Sequence, residues 1–406
     1  MVDTPSNPNL LRGPAPKTRH GLTEMPPGTP VLFVKPELMR WARATAGITR
    51  DEVIAAFDIT DAELSEWESQ GARINARNLE RLASFYKRST AVFFMPSAPE
   101  EPPALADFRL VPSGATFSTK LLLSLRRARR AQRIYTDLMA DVDGAIEVTV
   151  PPMTLGDDIE TAAARLRGAL DVPFETQTQS ATPGKALMIW RRAVERLGVL
   201  VFQFPMAFSH ASGFSLPGAA APTIVLNGAD APSRRQFTLF HELAHLSLNA
   251  PGICDVHAAS PILQKARVEA FCNNFAGSLL VPKPDLRTQP ATVAYRRREI
   301  PLMTALNRLQ KVFFVSRDVI LRCLNTLGFV PASEYTEVAS LLARLHPTGG
   351  GKSEPAMRPI NQLGGTFVRS VVAAHKRGLI TANEVCDYLS TRWKYIEKVD
   401  LLAPAA

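Results

Sequence analysis

From Gln236 to Leu248 the chain is apolar on nearly every side of a helix, yet it carries two histidines and a glutamate. Phe237, Leu239, Phe240, Leu243, Ala244, Leu246 and Leu248 read as a helix buried all round. Imidazole and carboxylate groups in such a helix are costly unless something pairs with them. Here they are His241, Glu242 and His245, in the run HELAH. Ser233 followed by Gln236 is a capping box, which predicts a helix start near Arg234. On that helix, residues i and i+4 lie about 40° apart around the axis and about 6 Å apart along it. Both imidazoles can then reach one tetrahedral ion at about 2.0–2.1 Å. Glu242 is turned by about 100° from His241, which makes it the candidate general base and not a ligand. A bound cation is the partner that this buried helix needs, and the HExxH spacing is the pattern for it.

Catalytic metal sites of this kind take a third protein ligand and keep one position open. The third is expected from a following segment. Glu269 is the candidate, on a predicted helix that places Glu269, Cys272, Asn273 and Ala276 on one face, with Phe271, Phe275 and Leu279 inward. Asn273 then sits one turn on, where it can orient the ligand. His257, Asp255, Cys254 and Cys272 are the rivals.

Around this centre the chain alternates patterns. Val199–Phe204 and Thr223–Asn227 are β-rich runs bounded by Gly, Pro and Asn. Residues 1–30 are rich in Pro and lack an apolar signal region, so they read as a disordered tail. From Pro36 to Met95 a bundle of short helices is expected. Thr49 with Glu52 and Thr60 with Glu63 are capping boxes, and Asn75 is a third cap. Thr49–Phe57 and Thr60–Glu68 would form a helix-turn-helix, with Phe57, Asp58 and Ile59 as the turn. Pro96–Pro103 is a linker. A basic helix from Ser118 to Met139 carries Arg126, Arg129, Arg130 and Arg133 opposite a leucine face. Residues 346–358 contain a Gly-rich linker within a helical C-terminal part. The expected division is therefore a tail (1–30), a helix-turn-helix domain (31–98), a metal-binding domain with a small sheet (99–290), a helical extension (291–345), the linker (346–358) and a C-terminal helical segment (359–406). The fold class is α+β and mostly helical.

The formal net charge of +9 favours anionic partners, but it is unevenly spread. Between Lys35 and Pro96 basic and acidic residues balance, and the second motif helix carries Asp61, Glu63, Glu66 and Glu68 without a base. Those charges would repel phosphates, so a protein-docking or dimerisation role stands beside DNA binding. The basic helix is a second candidate for nucleic-acid contact, though such runs are usually solvated faces. The four cysteines fit no disulfide framework, and no apolar run is long enough for a membrane helix. A cytoplasmic protein without membrane contact is the simplest reading.

The run from Phe237 to Leu246 resembles the ImmA/IrrE family of bacterial and phage metallopeptidases. So do Pro222–Asn227 and the later pattern Glu269, Asn273, Phe275, Ala276, Leu279, Leu280, Val281 and Pro282. The resemblance covers roughly residues 185–285, and implies a zincin-like domain in which His241, His245 and Glu269 bind zinc and Glu242 is the base. Manganese is the alternative, because His/His/Glu sets accept both. The family resemblance implies an endopeptidase that cleaves a DNA-binding repressor in a stress or mobile-element response. Some members carry an N-terminal Xre (Cro/CI-like) helix-turn-helix, which residues 31–98 resemble. Departures from the family pattern are Cys272, where a small Ala is usual, and the bulky Phe240. The competing reading is a non-catalytic DNA-binding regulator or antitoxin-like module that uses the fold as a sensor or scaffold. His210, His257 and Tyr295 are candidate oxyanion donors. Thr223, Ile224, Val225, Leu226 and Asn227 would pair with a substrate strand if they form a sheet edge. The sequence is compatible with an oligomer.

Overall fold

The computed structural model describes residues 31–99, 119–140, 147–206, 212–248, 261–344 and 354–403. The expected tail and most of the Gly-rich linker lie outside the described residues. The chain divides into two compact units, residues 1–123 and 124–406.

In the first unit, β1 (Val31–Val34) is followed by α1 (Pro36–Ala46), α2 (Arg50–Phe57), α3 (Asp61–Gln70), β2 (Ala72–Asn75) and α4 (Ala76–Phe85). Both capping boxes form, and Asn75 caps α4 by accepting from the Asn78 amide. Asp58 takes the left-handed conformation that turns α2 into α3, a position that Asp tolerates. Leu38, Ala42, Val53, Phe57, Leu64, Trp67, Leu79, Leu82 and Tyr86 close the core. Trp41 is only half-buried, stacked beneath the Arg88 guanidinium 4.0 Å away. The pairing of β1 with β2, antiparallel with Val31 opposite Asn75, is absent from the sequence reading.

A buried carboxylate organises this unit. Glu68 on α3 accepts from Arg43 at 2.5 and 3.0 Å and from Arg50 at 3.0 Å. The exposed residues of α3 are Asp61, Ala62, Ser65, Glu66, Ser69 and Gln70, none of them basic.

The second unit begins within α5 (Thr119–Met139) and continues through α6 (Ile159–Leu170), α7 (Phe174–Thr178) and α8 (Pro183–Arg196). Three strands follow: β3 (Leu200–Phe204), β4 (Gly213–Leu216) and β5 (Thr223–Asn227). Then come α9 (Pro232–Leu248), α10 (Pro261–Leu280), α11 (Lys283–Thr288), α12 (Pro290–Arg296), α13 (Leu302–Phe313), α14 (Arg317–Thr326) and α15 (Ala332–Ala343). The C-terminal part is α16 (Met357–Lys376), α17 (Ala382–Tyr388) and α18 (Ile396–Leu402). The fold is mostly helical α+β with a zincin-like domain. α16 starts at Met357, inside the stretch read as linker.

The sheet order is β3-β5-β4, with β3 parallel and β4 antiparallel to β5. β5 is thus the middle strand, and every residue in it is buried. The condition for Thr223–Asn227 to pair with a substrate strand, that it form a sheet edge, is therefore not met, since both of its sides are already paired. The edge beside α9 belongs to β4, which is not among the β-rich runs expected from the sequence.

α9 lies between the sheet and the helices α8 and α10. It starts at Pro232, two residues before the predicted start. Proline suits a first helical position because its missing N–H would have no partner there. Gln236 does not close a capping box with Ser233. Its side chain donates to the carbonyls of Pro183 and Phe314. Phe240 is fully buried, edge-on to Trp190 of α8 at 5.0 Å.

On the basic face of α5, Arg130 and Arg133 are exposed and Arg126 and Arg129 half-buried, as a largely solvated face would be, but α5 also makes specific contacts. Arg127 donates to Gln362 at 2.8 Å and stacks on Phe204, and Arg130 pairs with Asp387 at 2.5 Å. α16 lies against β3, and Gly364 breaks it with φ 81°. At that break, Glu195 of α8 accepts from the Gly365 and Thr366 amides, both at 3.1 Å. Arg191, buried beside it, donates to Val201 and Asn361 carbonyls.

Replacing Glu68 by Ala leaves Arg43 and Arg50 without their shared acceptor. We expect a loss of roughly 2–3 kcal/mol, as for hydrogen bonds to charged groups, read as a lower urea midpoint for the N-terminal unit. An unchanged midpoint would mean that the pair adds no stability.

Candidate metal centre

α9 and α10 bring three donors to one point. His241 Nε2 and His245 Nε2 stand 3.1 Å apart. Glu269 Oε2 is 3.4 Å from the first, and Glu269 Oε1 is 3.5 Å from the second. Two ring nitrogens at that distance cannot both present lone pairs without repulsion. A single shared proton would satisfy only one contact. A cation between the three satisfies all of them. In a tetrahedron with bonds of about 2.0–2.1 Å, ligand atoms lie about 3.3–3.4 Å apart. The observed separations match those edges, so the residues fit a divalent ion. Among the described residues this is the one cluster of its kind.

Burial varies around the set. His245 and Glu242 are buried, His241 is half-buried, and the Glu269 side chain is more exposed. A groove of about 660 Å³ opens over His241 and Glu242. Its walls include Ser212 and Gly213 before and in β4, Phe237 on α9, Asn273 on α10, and Val319 and Arg322 on α14. The pKa of His241 is raised above the ordinary histidine value. Burial works against its charged form, but the Glu269 hydrogen bond, the charges of Glu242 and Glu269, and Asn273 outweigh it.

Asn273 lies beside His241, one turn on from Glu269. Cys272 is wholly buried in the core, so it is not a donor to the groove. Tyr295 faces elsewhere: its hydroxyl donates to Glu334 at 2.8 Å. Burial, and then Glu334, push its pKa up. It is not among the groove-lining residues. His210, His257, Cys254 and Asp255 lie outside the described residues. Ser215 is a contact the sequence reading missed. Its Oγ donates to Glu242 Oε2 at 3.0 Å. The only signal was the polar residue in Gly213-Phe214-Ser215-Leu216, too short a run to read as a strand.

A helix bearing two histidines and a glutamate, backed by a small sheet and completed by a glutamate from the next helix, defines a zincin-like centre. Residues 194–325 match the IrrE N-terminal-like domain of the M78 peptidase family, so this segment is similar to metallopeptidases of that type. The match runs past residue 290, where the sequence reading ends the domain. No curated protein matches the chain. Among the described residues, no helix is long and apolar enough to cross a membrane.

Metal binding requires neutral imidazoles. Because the His241 pKa is raised, protons compete for the site from above the ordinary histidine range, and affinity falls as pH drops. Calorimetric titration with Zn²⁺ at stepped pH should show this, together with proton release. His245→Ala or Glu269→Ala should lower the affinity by roughly two orders of magnitude or more. Undiminished binding by either variant would show that the ion lies elsewhere.

Proposed function

We propose that the chain is a zinc-dependent endopeptidase that cleaves a specific regulatory protein, a DNA-binding repressor, in a stress or mobile-element response. The observation that carries the reading is Glu242. A purely structural metal site has no use for a carboxylate buried beside the ligands and opening on a groove. His241, His245 and Glu269 would hold the ion. When bound, it supplies Lewis acidity and brings the pKa of a water towards neutrality. Zinc suits this donor set, and manganese is the alternative.

The chain's own groups do the rest. Glu242 takes the proton at a carboxylate oxygen and returns it to the leaving amine. β4, as the sheet edge nearest α9, takes the place that the sequence reading gave to β5, aligning an extended substrate segment. General proteolysis would endanger the cell, so the reading assigns the site to one specific partner.

The N-terminal unit reads as an Xre-like helix-turn-helix that docks protein. The exposed face of α3 carries Asp61 and Glu66 and no base, which disfavours contact with phosphates. For the same reason the alternative, a non-catalytic DNA-binding regulator with a metal sensor, lacks its reading surface at α3. The cytoplasm is the compartment this reading implies.

The test is co-expression with regulators encoded beside its gene, comparing wild type with Glu242→Gln. The variant should keep its metal and cleave the regulator more slowly by roughly 10²–10⁴-fold. Equal regulator loss with both forms would rule out an enzymatic role for Glu242.

A further inference from the structure

The position of Glu242 is settled from outside its own helix. Glutamate has a long, freely rotating side chain, and a carboxylate next to a cation is readily drawn in as a ligand. Ser215 opposes both tendencies. Its hydroxyl donates to Glu242 Oε2 at 3.0 Å, and both side chains are buried. β4 comes this close because of Gly213, two residues earlier and on the same strand face. A Cβ at Gly213 would lie 2.5 Å from Thr238 Cγ2 and 2.8 Å from the Val225 carbonyl oxygen. Only a hydrogen fits between β4 and α9 there. The register then fixes Ser215 opposite Ile224 and turns it towards Glu242.

We propose that Ser215 is a positioning residue for Glu242. Its hydroxyl holds the carboxylate beside the His241, His245 and Glu269 set, available to a proton and withheld from the ion. The inference rests on the metallopeptidase reading above and adds to it that the sheet, through β4, sets where the base stands.

The experiment uses the full chain loaded with Co²⁺ and titrated with acetohydroxamate, followed by visible absorption. A hydroxamic acid gives up a proton as it chelates, and a carboxylate placed to receive that proton tightens binding. Ser215→Ala should still bind one Co²⁺ per chain but hold the hydroxamate roughly ten- to a hundredfold more weakly, the size of one hydrogen bond to a charged group. Ser215→Thr, which keeps the hydroxyl, should restore it. In a Glu242→Gln background, Ser215→Ala should have no further effect, because the two act as one unit. A loss of equal size in that background overturns the proposal. So does a Ser215→Ala chain that binds hydroxamate like wild type or fails to take up Co²⁺. If wild type and Glu242→Gln hold the probe alike, Glu242 is not a proton acceptor. The metallopeptidase reading itself then falls, whatever Ser215 does.

Discussion

Two imidazole nitrogens 3.1 Å apart inside an apolar helix are the constraint around which the second unit is organised. Uncompensated, they would oppose folding of α9. The surrounding structure turns that cost into a site. Trp190 and Phe240 lock the back of α9, so its histidines cannot rotate away. α10 runs alongside with Phe275, Ala276 and Leu279 inward, which turns Glu269 towards the pair. β4 closes the third side. Packing of α9, α10 and β4 thus sets the positions of the donors, the condition for tight and selective ligation.

Much of this centre was legible in the residues. The i, i+4 histidines, the intervening glutamate and the helical spacing of Glu269 with Asn273 each carry a geometric meaning that survives folding. The caps at Thr49, Thr60 and Asn75 were equally local and formed as expected. What was illegible depended on pairing over distance. β1 and β2 are four residues each, and β4 contains Gly and Ser, so neither pattern nor propensity announces them. The central place of β5 follows from β4 and could not be seen without it. At α9, Ser233 and Gln236 imitated a capping box, but burial assigned Gln236 to the carbonyls of Pro183 and Phe314. Cys272 and Phe240 looked like departures from the family pattern, and both are accommodated as core residues.

Charge is used for internal cohesion more than the composition suggests. In the N-terminal unit, Arg43 and Arg50 turn inward to Glu68. In α5, Arg127 and Arg130 reach residues of the C-terminal helices. A net charge of +9 therefore overstates the free positive surface. The electrostatic character of each face has to be read from what its side chains touch.

The break at Gly364 carries a consequence for how the gene can be cut. The amides it frees are satisfied by Glu195, while Arg191 bridges from α8 to both β3 and the start of α16. A protein ended at residue 353 would take the α16 partners from the paired Arg191 and Glu195 and uncover the outer side of β3. Bare strand edges of that kind invite association between molecules. The last fifty residues are thus part of the fold that bears the candidate metal centre, and shortened versions should be designed to keep them.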